Sequence, residues 1–224
     1  MNGDRRQFLG YVGGATVGAA SLPALPSLAR AATGLEHPQP VDSKWDVSWA
    51  ERVTGQHRAV FDSPEASEGA ALFRAVAWCD HYKEVYGVER KDMSAVVVFR
   101  HTAIDLVMDD EHWKRFKVGK SLKIKNENGK WSEVNPISAR SVGDDPKKTK
   151  YKLERFLADG GIVLGCSWAF NFVVQQYQEK GKLEHEAAEA QARAHLLSGV
   201  ILQPNGIFAA LRAQEAGCQY ILAS

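Results

Sequence analysis

Residues 93–101 read MSAVVVFRH, and the way this run is taken decides the fold. Val96, Val97, Val98 and Phe99 follow Ala95 with no polar residue between them. A strand with one face in water would alternate, so this one is written for cover on both faces, as in a parallel sheet sandwiched by helices. Shorter apolar runs recur along the chain: HRAVFDS (57–63), GIVLG (161–165), GVILQPNG (199–206, a strand with a turn) and CQYILAS (218–224). Helical spacing fills the gaps. Residues 64–86 carry a stripe of Ala66, Ala70, Phe73 and Ala77, with Ser63 as the expected cap and Pro64 in the first turn. Residues 103–116, 146–159, 168–180, 183–197 and 207–216 complete the alternation of strands and helices, which predicts an α/β fold with a parallel sheet covered on both faces.

Two segments stand outside that alternation. Residues 118–147 are polar, and SLKIKNENGKWSEV (121–134) alternates around Asn128-Gly129. That dipeptide is a hairpin signal, so the segment is expected to be an inserted β-hairpin flap. Residues 32–56 are Pro-bearing and polar, an arm or linker in which Trp45 and Trp49 stand four apart and can pin one helical turn onto the body.

The first 31 residues are expected to lie outside the fold. Arg5 and Arg6 precede Phe8-Leu9 and a Gly/Ala-rich stretch, and Ala29-Arg30-Ala31 supplies a small-residue cleavage pattern. DRRQFLG (4–10) resembles the twin-arginine (Tat) export signal, which implies a periplasmic protein whose mature chain begins near Ala32. That route admits a cofactor inserted before export without requiring one, and no integral membrane segment is expected in the mature chain. With 28 Lys and Arg against 27 Asp and Glu, the formal charge is +1. A nucleic-acid binder usually carries a basic excess, so none is expected as partner. The lysine-rich run at 114–125 lies among Asp109, Asp110, Glu111, Glu127 and Glu133 and reads as a solvated face.

In an open α/β sheet, ligands sit beyond the carboxyl ends of the strands. The residues standing there are Asp62 and Ser63; Arg100, His101 and Thr102; Cys166, Ser167 and Trp168; and Gln203, Pro204 and Asn205. Cys166 is the one thiol among them. It precedes a helix whose expected cap is Ser167, and a helix N-terminus favours a thiolate. Arg100 or His101 on the neighbouring strand would stabilise that anion further. Position alone leaves Cys166 open between a working thiol and a small buried hydrophobe. Cys79 and Cys218 read as structural. The histidines show no zinc-type spacing, and His185 and His195 read as solvated.

LADGGIVLGCSWAF (157–170), AVVVFRHTAIDLVMDDEHW (95–113) and GIFAALRAQEAGCQYILAS (206–224) together resemble the DsrE/DsrF-like sulfur-relay family over about residues 57–224. The resemblance implies a three-layer α/β/α domain with a five-stranded parallel sheet, a homo-oligomer, and a cysteine that carries persulfide sulfur, which here is Cys166. The expected partner is then a small sulfur-containing molecule or a thiol protein. Arg100, His101, Ser167, Trp168 and Asn205 are the candidate binding residues around Cys166, and no cofactor is specified. Two alternatives remain open. One is a periplasmic small-ligand, haem or metal-binding module in a crevice walled by Trp168, Trp113 and Trp131, with His101 and Cys166 as ligands. The other is an oligomer-forming structural subunit without an active thiol.

Overall fold

Five parallel strands form one sheet in the order β4-β3-β2-β1-β5: β1 (His57–Ser63), β2 (Met93–Phe99), β3 (Ile162–Cys166), β4 (Val200–Gln203) and β5 (Gln219–Leu222). The computed structural model describes Val41, residues 44–143 and residues 145–224. The expected export signal and most of the residues before the arm's tryptophans lie outside them. β2 is buried at every position, as its unbroken apolar run requires.

Helices cover both faces, as a three-layer α/β/α fold demands. On one face α1 (Ala70–Tyr86), α2 (Asp110–Phe116), α5 (Leu153–Ala158), α6 (Ser167–Gly181) and α7 (His185–Ala194) contribute to a large core. There Phe61, Val97, Phe99 and Val163 meet Leu72, Trp113, Phe156, Phe170, Val174 and Tyr177. The other face is thinner. It has α8 (Gly206–Glu215), whose Ala209 and Ala213 let the helix lie close on Val60, Val96, Val98 and Leu164. Trp49, on a 3-10 turn at Ser48–Arg52, is fully buried in the same cluster. The arm is thus pinned by one tryptophan; Trp45 is not part of that core.

The flap region is mostly loop and short helix: α3 (Val118–Ser121), a 3-10 turn at Ala139–Ser141 and α4 (Pro146–Thr149). The expected hairpin is reduced to one antiparallel bridge, Lys125↔Trp131, with Gly129 at φ 74° in the turn. Asn126 Oδ1 accepts from the amides of Asn128 and Lys130 and so closes the turn. The flap is tied back where Ser132 passes α3: a Cβ on Gly119 would stand 2.2 Å from the Ser132 carbonyl oxygen.

Several local expectations are corrected. Ser63 does not cap α1; it stays in the ladder opposite Phe99, and its hydroxyl donates to the Glu65 carbonyl. The helix begins only at Ala70, after Ser67, Glu68 and Gly69 have turned through positive φ. The buried stripe of α1 is accordingly Ala71, Leu72, Ala75 and Cys79, and Phe73 is exposed. Residues 146–159 form two short helices, and residues 101–107 are a 3-10 helix separate from α2. No described helix is long and apolar enough to cross a membrane.

Candidate functional site

The carboxyl edge of the sheet places the sequence-derived candidates in a row. The β2–β3 ladder ends at Phe99↔Gly165, so Arg100 and Cys166 are the next residues on adjacent strands, and Cys166 pairs in register with Gln203. Cys166 itself is the N-cap of α6, and its Sγ accepts from the Ala169 amide at 3.4 Å. The expected cap, Ser167, is instead the first helical residue, and its Oγ is buried with no hydrogen-bond partner among the described residues. A cap must be an acceptor on a residue with extended backbone; Cys166 has φ −81° and ψ 114°. The thiol is 6% exposed and packs within the large core cluster that also holds Ala169 and Phe170.

Arg100 is not free to serve that thiol. Its Nε and Nη2 donate to the two oxygens of Asp62 at 2.8 and 2.9 Å, a two-pronged ion pair. Asp62 is 2% exposed and also accepts from the Tyr220 hydroxyl at 2.6 Å. The bond to Asp62 raises the Arg100 pKa above its ordinary value, and the same carboxylate, helped by burial, holds the Tyr220 proton on. The Arg100 stem lies against Gly206, where a Cβ would come within 2.5 Å of Arg100 Cδ. Asn205 caps α8 beside it, its Oδ1 accepting from the Phe208 amide at 2.8 Å. The edge therefore carries two local devices: a capped thiol at the β3–α6 junction, and a charged triad between β1, β2, β5 and the start of α8.

The remaining candidates are not gathered with them. His101 is exposed in the left-handed region, φ 52°, and its side chain makes no hydrogen bond or ion pair among the described residues. Trp168 is 63% exposed on the outside of α6. The three-tryptophan crevice does not form: Trp113 is fully buried, its Nε1 donating to the Asp105 carbonyl, and Trp131 belongs to the flap. Among the described residues no group of three His, Cys, Asp or Glu side chains could hold a metal ion. Cys166 and Cys218 form no disulfide; all three cysteines are free and buried.

Sequence reasoning missed a second polar cluster and the triad's third member. His112, fully buried, stands 3.2 Å from Asp105 and 3.3 Å from the Tyr177 hydroxyl. Tyr177 stacks on His195, which is not solvated but pairs with Asp109 at 3.0 Å. Burial pushes the Tyr177 hydroxyl well above its ordinary value, so it stays neutral. Asp109 also caps α2 through the His112 amide, and the set locks α2, α6 and the end of α7 together. Tyr220 had no readable signal, because its partner lies 158 residues earlier.

No protein-family model matches the sequence, and no curated protein matches it. Among solved structures the chain is similar to a protein of unknown function, MTH1491 from Methanobacterium thermoautotrophicum. The identity is 14%, the TM-score 0.38, and the match covers 75% of this chain and 99% of that one.

Proposed function

We propose that this protein handles sulfane sulfur or thiol redox chemistry through Cys166. The observation that carries the reading is the cap itself: Sγ, at the carboxyl end of β3, accepts the Ala169 amide at the N-terminus of the 15-residue α6. That bond fixes the sulfur at the sheet edge with a backbone N–H aimed at it. In the transfer, Cys166 reacts as a thiolate, the nucleophilic form of any cysteine: it attacks the outer sulfur of a persulfide R–S–SH, a Cys166 persulfide forms and R–S⁻ leaves. Asp62, Arg100 and Tyr220 tie β1, β2 and β5 together at the same edge. The reading includes export to the periplasm, which rests on the resemblance of residues 4–10 to a twin-arginine signal, and assembly into a homo-oligomer.

The test is mass mapping after brief exposure to polysulfide and alkylation of persulfides. One added sulfur on the Cys166 peptide, absent in Cys166→Ser, is expected. Equal uptake by the variant, or sulfur confined to Cys79 and Cys218, overturns the reading.

A second reading, a ligand-binding module without turnover, has one observation in its favour. Arg100, although paired with Asp62, remains 30% exposed beside the start of α8. In that case a bound anion, and not persulfide, would be found on protein purified in its native state.

A further inference from the structure

The flap holds an open basin of about 870 Å³ whose lining includes Lys125, Lys130, Trp131, Glu133, Arg140 and Lys152. Small-molecule sites run to roughly 300–1,000 Å³, and this basin shares no lining residue with the Cys166 edge.

Its charge is unbalanced. Among the described residues four cations line it against two acids, Glu127 and Glu133. Glu127 is already paired with Lys148 at 3.3 Å, and the ion pair made by Arg140, to Asp110, is long at 4.0 Å. Lys152 is half-buried, and its ammonium donates to a neutral partner, the Pro136 carbonyl. Burial lowers its pKa, Lys148 adds to the fall, and Glu154 opposes it. Among the described residues no carboxylate makes an ion pair with it, and a desolvated cation left unpaired is costly to keep.

The wall is also aromatic. Trp131 is 42% exposed, and the Lys125 ammonium stands 5.2 Å from its ring centroid. A cation and an indole thus lie side by side, held by the one bridge that closes the turn. A ligand with an anionic group and a flat apolar body engages both at once.

We propose that the flap basin is a binding site for small aromatic anions, with Trp131 as the stacking wall and Lys130, Arg140 and Lys152 receiving the negative group. It is a ligand site separate from the sheet edge and stands whether or not Cys166 carries sulfur.

The test is isothermal titration of the full chain with naphthalene-2-sulfonate, with neutral 2-naphthol as the comparison. Saturable binding at one site is expected. It weakens at least tenfold in Trp131→Ala and in Lys130→Ala/Arg140→Ala, survives in Trp131→Phe, and is unchanged in Trp168→Ala. Neutral 2-naphthol binds at least tenfold more weakly. Thermal unfolding of each variant confirms that it is folded before titration. Absence of saturable binding, equal affinity for the neutral compound, or loss in Trp168→Ala with retention in Trp131→Ala overturns the proposal.

Discussion

Replacing Arg100 with leucine should destabilise the protein far more than an exposed charge would. The Asp62 carboxylate is 2% exposed and has three donors: two from Arg100 and one from Tyr220. Arg100→Leu takes away two of them and, among the described residues, the only counter-charge in contact. Breaking a buried pair from one side costs about 3–5 kcal/mol because a charge is left behind. Arg100 is 30% exposed, so water can enter where it stood, and the low end, about 3 kcal/mol, is expected. At roughly 2–4 °C per kcal/mol for a chain of this size, the melting temperature should fall by about 6–12 °C. Asp62→Leu/Arg100→Leu should cost less than the sum of its single changes, since no buried charge remains. Urea unfolding of the four proteins, followed by circular dichroism, gives the coupling energy directly. An Arg100→Leu protein within about 1 kcal/mol of the parent, the range of a surface pair, would refute the reasoning. So would single changes that simply add. The same variant separates structure from chemistry: if Arg100 only holds the edge together, persulfide uptake at Cys166 persists wherever the protein is folded.

Two other consequences can be measured with the same preparations. Gly206→Ala places a Cβ 2.5 Å from Arg100 Cδ, which must shift the stem and loosen its grip on Asp62; overpacking of this kind costs about 1–3 kcal/mol, and an unchanged melting temperature would show that the stem yields freely. Burial pushes the Cys218 thiol up to about 11, so iodoacetamide at pH 8 should leave it unmodified, and its rate should climb about tenfold per pH unit between pH 8 and 10 as thiolate forms. A flat rate over that range would contradict it.

What the sequence revealed, and what it hid, follows from the reach of each physical rule. HRAVFDS became β1 with Ser63 kept in the strand, and MSAVVVFRH became β2 as far as Phe99, because a continuous apolar run has few alternatives until Arg100 and His101 turn out of the ladder. The start of α1 was misplaced because Ser63-Pro64 is good cap grammar, whereas the ladder to β2 claimed Ser63 first. The cap of α6 was misassigned for a related reason. Capping rules rank side-chain oxygens, so Ser167 looked right, yet the acceptor that meets the Ala169 amide is the sulfur one residue earlier. The hairpin signal at Asn128-Gly129 was local and survived as a turn; the strands around it did not extend, since the flap has no sheet to join.

The triad at the edge was hidden for a deeper reason: no periodicity in a chain specifies strand order. Asp62 and Arg100 stand at the ends of consecutive strands and were both visible as strand-end residues. Their meeting depended only on β1 and β2 being neighbours, the commonest outcome for sequential strands. Tyr220 depended on something else. After β4 the chain crosses by way of α8 to the opposite edge of the sheet and lays β5 beside β1. That crossing brings the Tyr220 hydroxyl to Asp62 and sets Gly206, at the start of the crossing helix, against the Arg100 stem. The triad is therefore a consequence of topology, and it locks that topology in return. A β5 that paired beside β4 instead would leave the Asp62 carboxylate with Arg100 alone and would separate Arg100 from the glycine that makes room for it.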